Sequence, residues 1–246
     1  MSNPKQNIEE IKLGFYVTPE HECNYLPGKN AQTVFADPDF PMNENIYTTL
    51  ASHGFRRSGN HIYKPQCQQC HACIAIRLPV TNFTMSRNQK RNWARNKDLK
   101  INKLFAEFDD EHFDLYQRYL AARHPDGDMG TSDLKGFISF LTTNWATTVF
   151  YEFRKKNKLL AVAVVDELVD GLSAVYTFFD PDESNRSLGR YAVLTEIEMA
   201  LNRGLQWLYL GYWIADCRKM QYKDEYQPLE YYYQKKWHHK PPQDTD

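Results

Sequence analysis

The spacing of apolar positions is clearest in the rear half of the chain. A helix opens at Asp109 or Asp110 and sets Phe113, Tyr116 and Leu120 on one face, before Pro125 stops the next segment. A second starts at Ser132 or Asp133, with Leu134, Phe137, Ile138 and Leu141 at i, i+3, i+4 and i+7. The pattern then changes, and residues 147–153, 159–165 and 172–179 read as three strands. Their connections, Lys155-Lys156-Asn157-Lys158 and the segment ending Asp170-Gly171, are short enough for antiparallel hairpins. Asp180-Pro181-Asp182 ends the sheet run. A helix over residues 188–203 follows, burying Val193, Ile197, Ala200 and Leu201 and stopping at Gly204. Residues 206–210 return as a strand.

The front of the chain is rich in turn formers: Pro19, Pro27-Gly28, Pro38, Pro41, Gly54, Gly59 and Pro65. A short helix over 46–52 precedes a hairpin, Phe55-Arg56-Arg57 against His61-Ile62-Tyr63, turned at Ser58-Gly59-Asn60. Helical composition resumes over 87–98. The predicted class is therefore α+β. A turn-rich, cysteine-containing N-terminal domain spans 1–103, and a domain with a mostly antiparallel sheet spans 104–246. The rear order of helix, helix, strand, strand, strand, helix, strand is that of an acetyltransferase-like (GNAT) domain, an inference about fold and not about activity.

Composition narrows the class. A chain of 246 residues can bury a sizeable core, as one large domain or two small ones. Tyr, at 16 residues, is the commonest aromatic, and Tyr is the aromatic suited to wet surfaces. The longest apolar run, residues 159–165, is far short of a membrane span, and the first residues hold no apolar signal core. Five cysteines, three of them crowded together, do not form a disulfide framework. Together these predict a cytoplasmic protein without a membrane partner.

Charge adds a candidate partner. Residues 77–103 hold Arg77, Arg87, Lys90, Arg91, Arg95, Lys97, Lys100 and Lys103 against one acid, Asp98, in a chain whose net charge is −1. Such a strip, interleaved with Asn88, Gln89, Asn92 and Trp93, suits a nucleic acid; a solvated basic helix face is the alternative.

Cys67-x2-Cys70-x2-Cys73 supplies three soft ligands, and a zinc ion or iron–sulfur cluster needs a fourth. Cys23 is the best candidate, Cys217 lying in the other half, with His71 and His21 in reserve. Reduced thiols in a turn-rich core are the alternative. The loop Arg186-Ser187-Leu188-Gly189-Arg190-Tyr191 partly matches the acetyltransferase phosphate cradle at a helix start. Tyr191 stands where a small residue lets phosphate approach, so coenzyme A is expected to fit poorly, while Arg186 and Arg190 suit another phosphate. Asp180 and Asp182 flank Pro181; a turn is the simple reading, and Asp180 is also a candidate catalytic carboxylate. No Walker loop, dinucleotide fingerprint, nucleophile elbow or zincin motif is present, so ATP use, hydride transfer and serine hydrolysis lack support. Residues 209–223 pack aromatics and cations closely, as a site for both an apolar group and an anion does.

Six stretches taken together resemble the aminoacyl-tRNA–protein transferases, on the bacterial branch related to eukaryotic arginyl-tRNA–protein transferases. They are Cys23-Asn24-Tyr25-Leu26-Pro27-Gly28, Gly54-Phe55-Arg56-Arg57-Ser58-Gly59, the Cys67/Cys70/Cys73 run with Arg77-Leu78-Pro79-Val80, and Ser86-Arg87-Asn88-Gln89-Lys90-Arg91. The rest are Ser187-Leu188-Gly189-Arg190-Tyr191, and Tyr209-Leu210-Gly211-Tyr212-Trp213-Ile214 with Cys217, Lys219, Met220, Tyr222 and Lys223. The resemblance implies transfer of leucine from leucyl-tRNA to the α-amine of proteins starting with Asp or Glu, marking them for N-degron degradation. Arginine as the transferred residue remains open on physical grounds. Eukaryotic relatives have a cysteine where Leu26 stands and an adjacent Cys-Cys pair where this chain has the spaced run, so the resemblance does not by itself carry their metal binding over to this chain.

The implied reaction is aminolysis of an ester, with no ATP, coenzyme A or other cofactor required. The candidates for the acceptor's carboxylate are Arg56, Arg57, Arg77, Lys219 and Lys223; for the leucine pocket, Phe178, Tyr212, Trp213 and Met220. Tyr222, or N–H groups around Leu188 to Arg190, would stabilise the oxyanion. Arg87, Lys90, Arg91 and Arg95, joined by Arg186 and Arg190, are assigned to tRNA. Two rival readings are an acetyl-CoA-dependent acetyltransferase and a non-enzymatic, metal-stabilised RNA-binding module; DNA is not an expected partner.

Overall fold

The unbroken apolar run at 159–165 requires a strand covered on both faces, and the molecule is built around that strand. The computed structural model describes residues 12–123 and 133–242. The front segment forms β1 (Phe15–Val17), β2 (His21–Glu22), β3 (Asn30–Ala31), β4 (Thr33–Ala36), α1 (Glu44–Ser52), β5 (Arg56–Ser58), β6 (His61–Pro65) and β7 (Ile74–Pro79). Next come α2 (Arg87–Arg95), β8 (Lys100–Phe105), α3 (Asp110–Arg123), α4 (Leu134–Leu141), β9 (Thr147–Lys155), β10 (Lys158–Glu167) and β11 (Gly171–Phe179). The rear ends with α5 (Leu188–Asn202), β12 (Trp207–Trp213), α6 (Arg218–Gln221), β13 (Glu230–Tyr233) and β14 (Lys236–His238).

One large sheet runs β14-β13-β7-β12-β11-β10-β9-β8, beside a smaller one ordered β1-β4-β6-β5 and the pair β2-β3. The β11–β12 contact is parallel, as a strand–helix–strand crossover through α5 requires; the other large-sheet pairings are antiparallel. The expected α+β class and rear order are thus present. Leu160, Ala161, Ala163 and Val165 pack with α5 residues such as Leu194 and Ile197. On the opposite face Leu159, Val162 and Val164 meet α3 and α4 through Tyr116, Leu120, Phe137 and Leu141.

Several expectations shift. The division after residue 103 falls inside β8, and β7 of the front segment lies between β13 and β12, so both segments build the large sheet. Leu134 and Leu201 are 46% and 49% exposed, because each sits at the rim of its helix's apolar stripe. β12 runs on to Trp213 through a register shift at Gly211, whose φ of +76° only glycine adopts easily. Pro125 and Ser132 lie outside the described residues.

The small sheet is tied to the large one by a buried ion pair. Arg57 of β5 reaches Asp166 of β10 at 2.5 and 2.6 Å, with both side chains fully enclosed. Thr148 and Tyr47 also donate to Asp166, at 2.7 and 3.0 Å. The carboxylate is thus satisfied on every side, which a buried charge requires.

Candidate active site

β11 and β12 pair at only three positions, from Gly171↔Trp207 to Ser173↔Tyr209. Beyond them β11 stays with β10 as far as Phe179, and β12 stays with β7 as far as Trp213, so the two strands part. The gap exposes main-chain carbonyls of β11 that no strand satisfies, and buried carbonyls need donors. Arg56, from β5, supplies them: Nη2 donates to Ala174 O at 2.5 Å and lies 3.3 Å from Val175 O. Across the gap Gly211 leaves room for the guanidinium, which a Cβ there would overlap. Among the described residues no carboxylate is ion-paired with Arg56, so its charge is free to meet an anion.

Three further groups gather there. Lys223 is buried and donates to Tyr212 O at 2.8 Å; burial pushes its ammonium down to about 7, and the Arg56 charge acts in the same direction. Glu196 of α5 is 1% exposed, and neither carboxylate oxygen has a partner among the described residues. Burial pushes its carboxyl up to about 8, with Arg56 pulling the other way. Tyr222 as a whole residue is 37% exposed, yet desolvation and then the Glu196 charge push its hydroxyl up to about 12. At neutral pH Tyr222 is therefore a hydrogen-bond donor. Tyr25 is also raised to about 12 by burial, then by Tyr63 and Cys73, with Arg56 opposing; the Cys23-Asn24-Tyr25 segment thus borders this gap.

The other sequence candidates divide sharply. Arg57 is committed to Asp166, as described. Arg77 pairs with Glu230 at 2.7 Å and lies between the rings of Trp207 and Trp237, so both arginines already have partners within the fold. Lys219 is exposed on α6. Phe178 is a core residue packed on Tyr116. The Tyr212 hydroxyl donates to Gly54 O at 2.9 Å, which fixes the ring as a wall. Trp213 packs on Tyr231 and keeps a buried Nε1 with no partner among the described residues. Asp180 is engaged within the fold: it pairs with Lys158 at 2.9 Å and Arg118 at 3.0 Å and accepts from Asp182 N at 3.1 Å. Burial opposes ionisation there, but the Lys158 hydrogen bond leads the contacts that hold the carboxyl below its ordinary range.

Glu196 and Tyr25 were missed. A signal existed for the first: Glu196 falls three residues after Val193 and one before Ile197, so an acid stands on the apolar stripe of α5.

α2 presents two unlike faces. Ser86 and Gln89 close a capping box at its start. Gln89, Asn92 and Asn96 are buried rather than turned to nucleic acid: Asn92 and Asn96 donate to Arg186 O at 2.8 and 3.0 Å, and Gln89 donates to Glu225 O at 2.9 Å. Trp93 packs on Tyr191. Arg186 is itself buried, holds Asp98 through two bonds of 2.8 and 2.9 Å, and lowers that carboxyl to about 2. Arg190 pairs with Glu225 at 2.5 Å, and Arg95 donates to Asn185 O. Arg87, Lys90 and Arg91 remain exposed on the outer face. Tyr191 is buried against Trp93 and Phe153, so it does not line an open cradle.

The thiols lie near one another: burial first, then Cys67, Cys23 and Cys70, pushes Cys73 up to about 12. Cys67 is held instead by the Gln32 main chain, with Gln32 N 3.5 Å from its Sγ. Among the described residues no group of three or more Cys, His, Asp or Glu side chains is placed to hold a metal ion. No helix among the described residues is long and apolar enough to cross a membrane.

Two family models match the chain: arginine-tRNA-protein transferase, N terminus, over residues 21–91, and its C terminus over residues 111–233. An aspartate/glutamate leucyltransferase of Hahella chejuensis is 52% identical over 225 residues, covering 92% of this chain and 96% of that protein. Proteins of the same name from Pseudomonas fluorescens and Pseudomonas aeruginosa are each 49% identical over 229 residues, covering 93% of this chain and 97% of theirs.

Proposed function

The chain belongs to the arginine-tRNA-protein transferase family, and on that premise we propose that it transfers leucine from leucyl-tRNA to the α-amine of proteins beginning with Asp or Glu. The choice of leucine follows the relatives' name at about half identity over nearly the whole chain. The added leucine marks the acceptor for N-degron degradation, a cytoplasmic role.

One observation carries the acceptor preference: Arg56 sits in the β11–β12 gap, bonded to main-chain carbonyls and unpaired with any acid among the described residues. A cation so placed attracts the acceptor's side-chain carboxylate, with Lys223 beside it supporting the same anion when protonated. A charge pair in such a desolvated place contributes about 2–5 kcal/mol of discrimination between Asp and Asn.

The reaction makes modest demands. The ester between leucine and the terminal adenosine is already activated, and an α-amine of pKa about 7.7–8 is partly neutral at pH 7. Binding both reactants together supplies most of the rate. Tyr222, protonated and at the surface side of the gap, donates to the oxyanion that forms on the ester carbonyl. The exposed face of α2, with Arg87, Lys90 and Arg91, takes the tRNA backbone.

The direct test is to incubate the protein with leucyl-tRNA and a peptide starting with Asp, then weigh the peptide. A gain of one leucine is expected; a peptide of unchanged mass rejects the reading. Arginyl-tRNA in a parallel reaction decides the donor.

A further inference from the structure

We propose that Glu196 is the carboxylate that receives the acceptor's α-ammonium, holding it beside Arg56 and taking its proton as the new amide forms. The inference rests on the aminoacyl-transfer reading above and deepens it.

Glu196 lies on the buried face of α5 with both oxygens unpartnered among the described residues. An acid in that condition weakens the fold, since it has lost water and gained no donor. What would satisfy it is a cation carrying N–H groups. The charged and titratable groups facing it are Arg56 from β5, Tyr151 from β9, and Tyr222 and Tyr226 from the turn after α6. Of these, Tyr222 is the most exposed, so an amine arriving from solvent reaches the carboxylate on that side.

The pairing with Arg56 identifies the ligand. An N-terminal Asp or Glu presents an ammonium and, one or two carbons further on, a carboxylate. Glu196 and Arg56 offer the opposite charges within one gap. The leucyl ester also bears an α-ammonium, but it has no carboxylate to occupy Arg56. Burial places the Glu196 carboxyl near 8, so around neutral pH it both gains and gives up a proton readily.

The steps balance. The ionised Glu196 takes one proton from the ammonium, and the freed lone pair attacks the ester carbonyl carbon to form the C–N bond. The nitrogen then loses a second proton to water. The C–O bond to the terminal ribose breaks, and the ribose oxygen takes the proton held by Glu196, which returns to its ionised form.

The test compares the full chain with its Glu196→Gln and Glu196→Asp variants, using leucyl-tRNA and an Asp-started peptide. For Glu196→Gln, kcat is expected to fall about 100-fold or more. KM for the peptide should rise, while KM for leucyl-tRNA stays within about twofold, since the donor lies outside the proposed contact. The wild-type rate should climb with pH around 8; in Glu196→Gln the remaining climb should be that of the α-amine alone, on a lowered kcat that Glu196→Asp restores in part. Thermal melting at pH 8 should show Glu196→Gln folded and no less stable, because it removes an unpaired charge. A Glu196→Gln variant with unchanged kcat overturns the proposal. So does a donor-specific outcome, in which the variant loses affinity for leucyl-tRNA but not for N-acetyl-leucyl-tRNA. If the wild type transfers nothing to any peptide, the aminoacyl-transfer reading fails first, and the role of Glu196 falls with it.

Discussion

The guanidinium of Arg56 fills the space that a side chain at position 211 would need. Gly211 therefore has two reasons to be glycine, its φ of +76° and the cation beside it. Gly211→Ala is expected to cost about 1–3 kcal/mol of stability. It should also lower peptide leucylation at least tenfold by pushing Arg56 from Ala174 O. Adding Arg56→Ala to Gly211→Ala should cost less than the sum of the two changes, because the smaller side chain vacates the contested space. Initial rates and melting curves of the single and double variants check this; full additivity rejects it.

Exchanging Arg56 for Gln should erase most of the preference for Asp over Asn while leucyl-tRNA binding persists. The discrimination at stake is about 2–5 kcal/mol, which is roughly 30-fold or more in kcat/KM. Peptides beginning with Asp, Asn and Ala provide the assay. A preference that survives both Arg56→Gln and Lys223→Met shows that the carboxylate is read elsewhere.

The neighbouring arginine should behave differently. Arg57 is locked to Asp166 at 2.5 Å with no exposed side-chain surface. Arg57→Ala leaves an uncompensated buried carboxylate, expected to cost about 3–5 kcal/mol. Melting temperature should fall steeply, and whatever remains folded should keep its Asp preference. Loss of selectivity without loss of stability would reverse the roles of Arg56 and Arg57.

That pair shows what the sequence conveys and what it hides. Arg56 and Arg57 are adjacent and chemically alike, and strand alternation alone sends them to different surroundings. Which one meets an acid depends on Asp166, over a hundred residues away. The helices and strands of the rear half were legible because burial repeats with a local period. The gap between β11 and β12 was not, since it arises where two pairings separate. Asp180 and Arg186 resembled free site residues by composition, and their ion-pair partners lie far along the chain, out of reach of local pattern. Glu196 was readable as a charge on an apolar stripe, and its neighbours in space give that charge a role.

The outer face of α2 bears on tRNA affinity. Arg87, Lys90 and Arg91 project from a helix whose inner face is fixed to the α5 entry by Asn92. Replacing all three with Gln leaves that anchoring intact and should flatten the salt dependence of tRNA binding. Each lost phosphate contact lowers the log–log slope by about 0.7–0.9. Filter binding between 50 and 200 mM salt measures it, and an unchanged slope returns the face to simple solvation.

Lys223 and Glu196 should give opposite trends of stability with pH. Lys223 titrates at about 7 when folded and near 10.5 when unfolded, so between those values the unfolded chain binds more protons. Stability from this residue therefore rises with pH across about 7 to 10.5, and is lowest below 7, where the fold must bury an ammonium. Glu196 titrates at about 8 when folded and near 4.5 when unfolded, so the folded chain holds the extra proton in that interval. Its contribution falls as pH rises from about 4.5 to 8, the carboxylate becoming an unpaired buried charge. Urea unfolding across pH 5 to 10 separates the two. Lys223→Met should lose the rise at high pH, and Glu196→Gln should lose the decline below 8. If both variants follow the wild-type curve, neither group is titrating inside the gap, and the electrostatic account of the site is wrong.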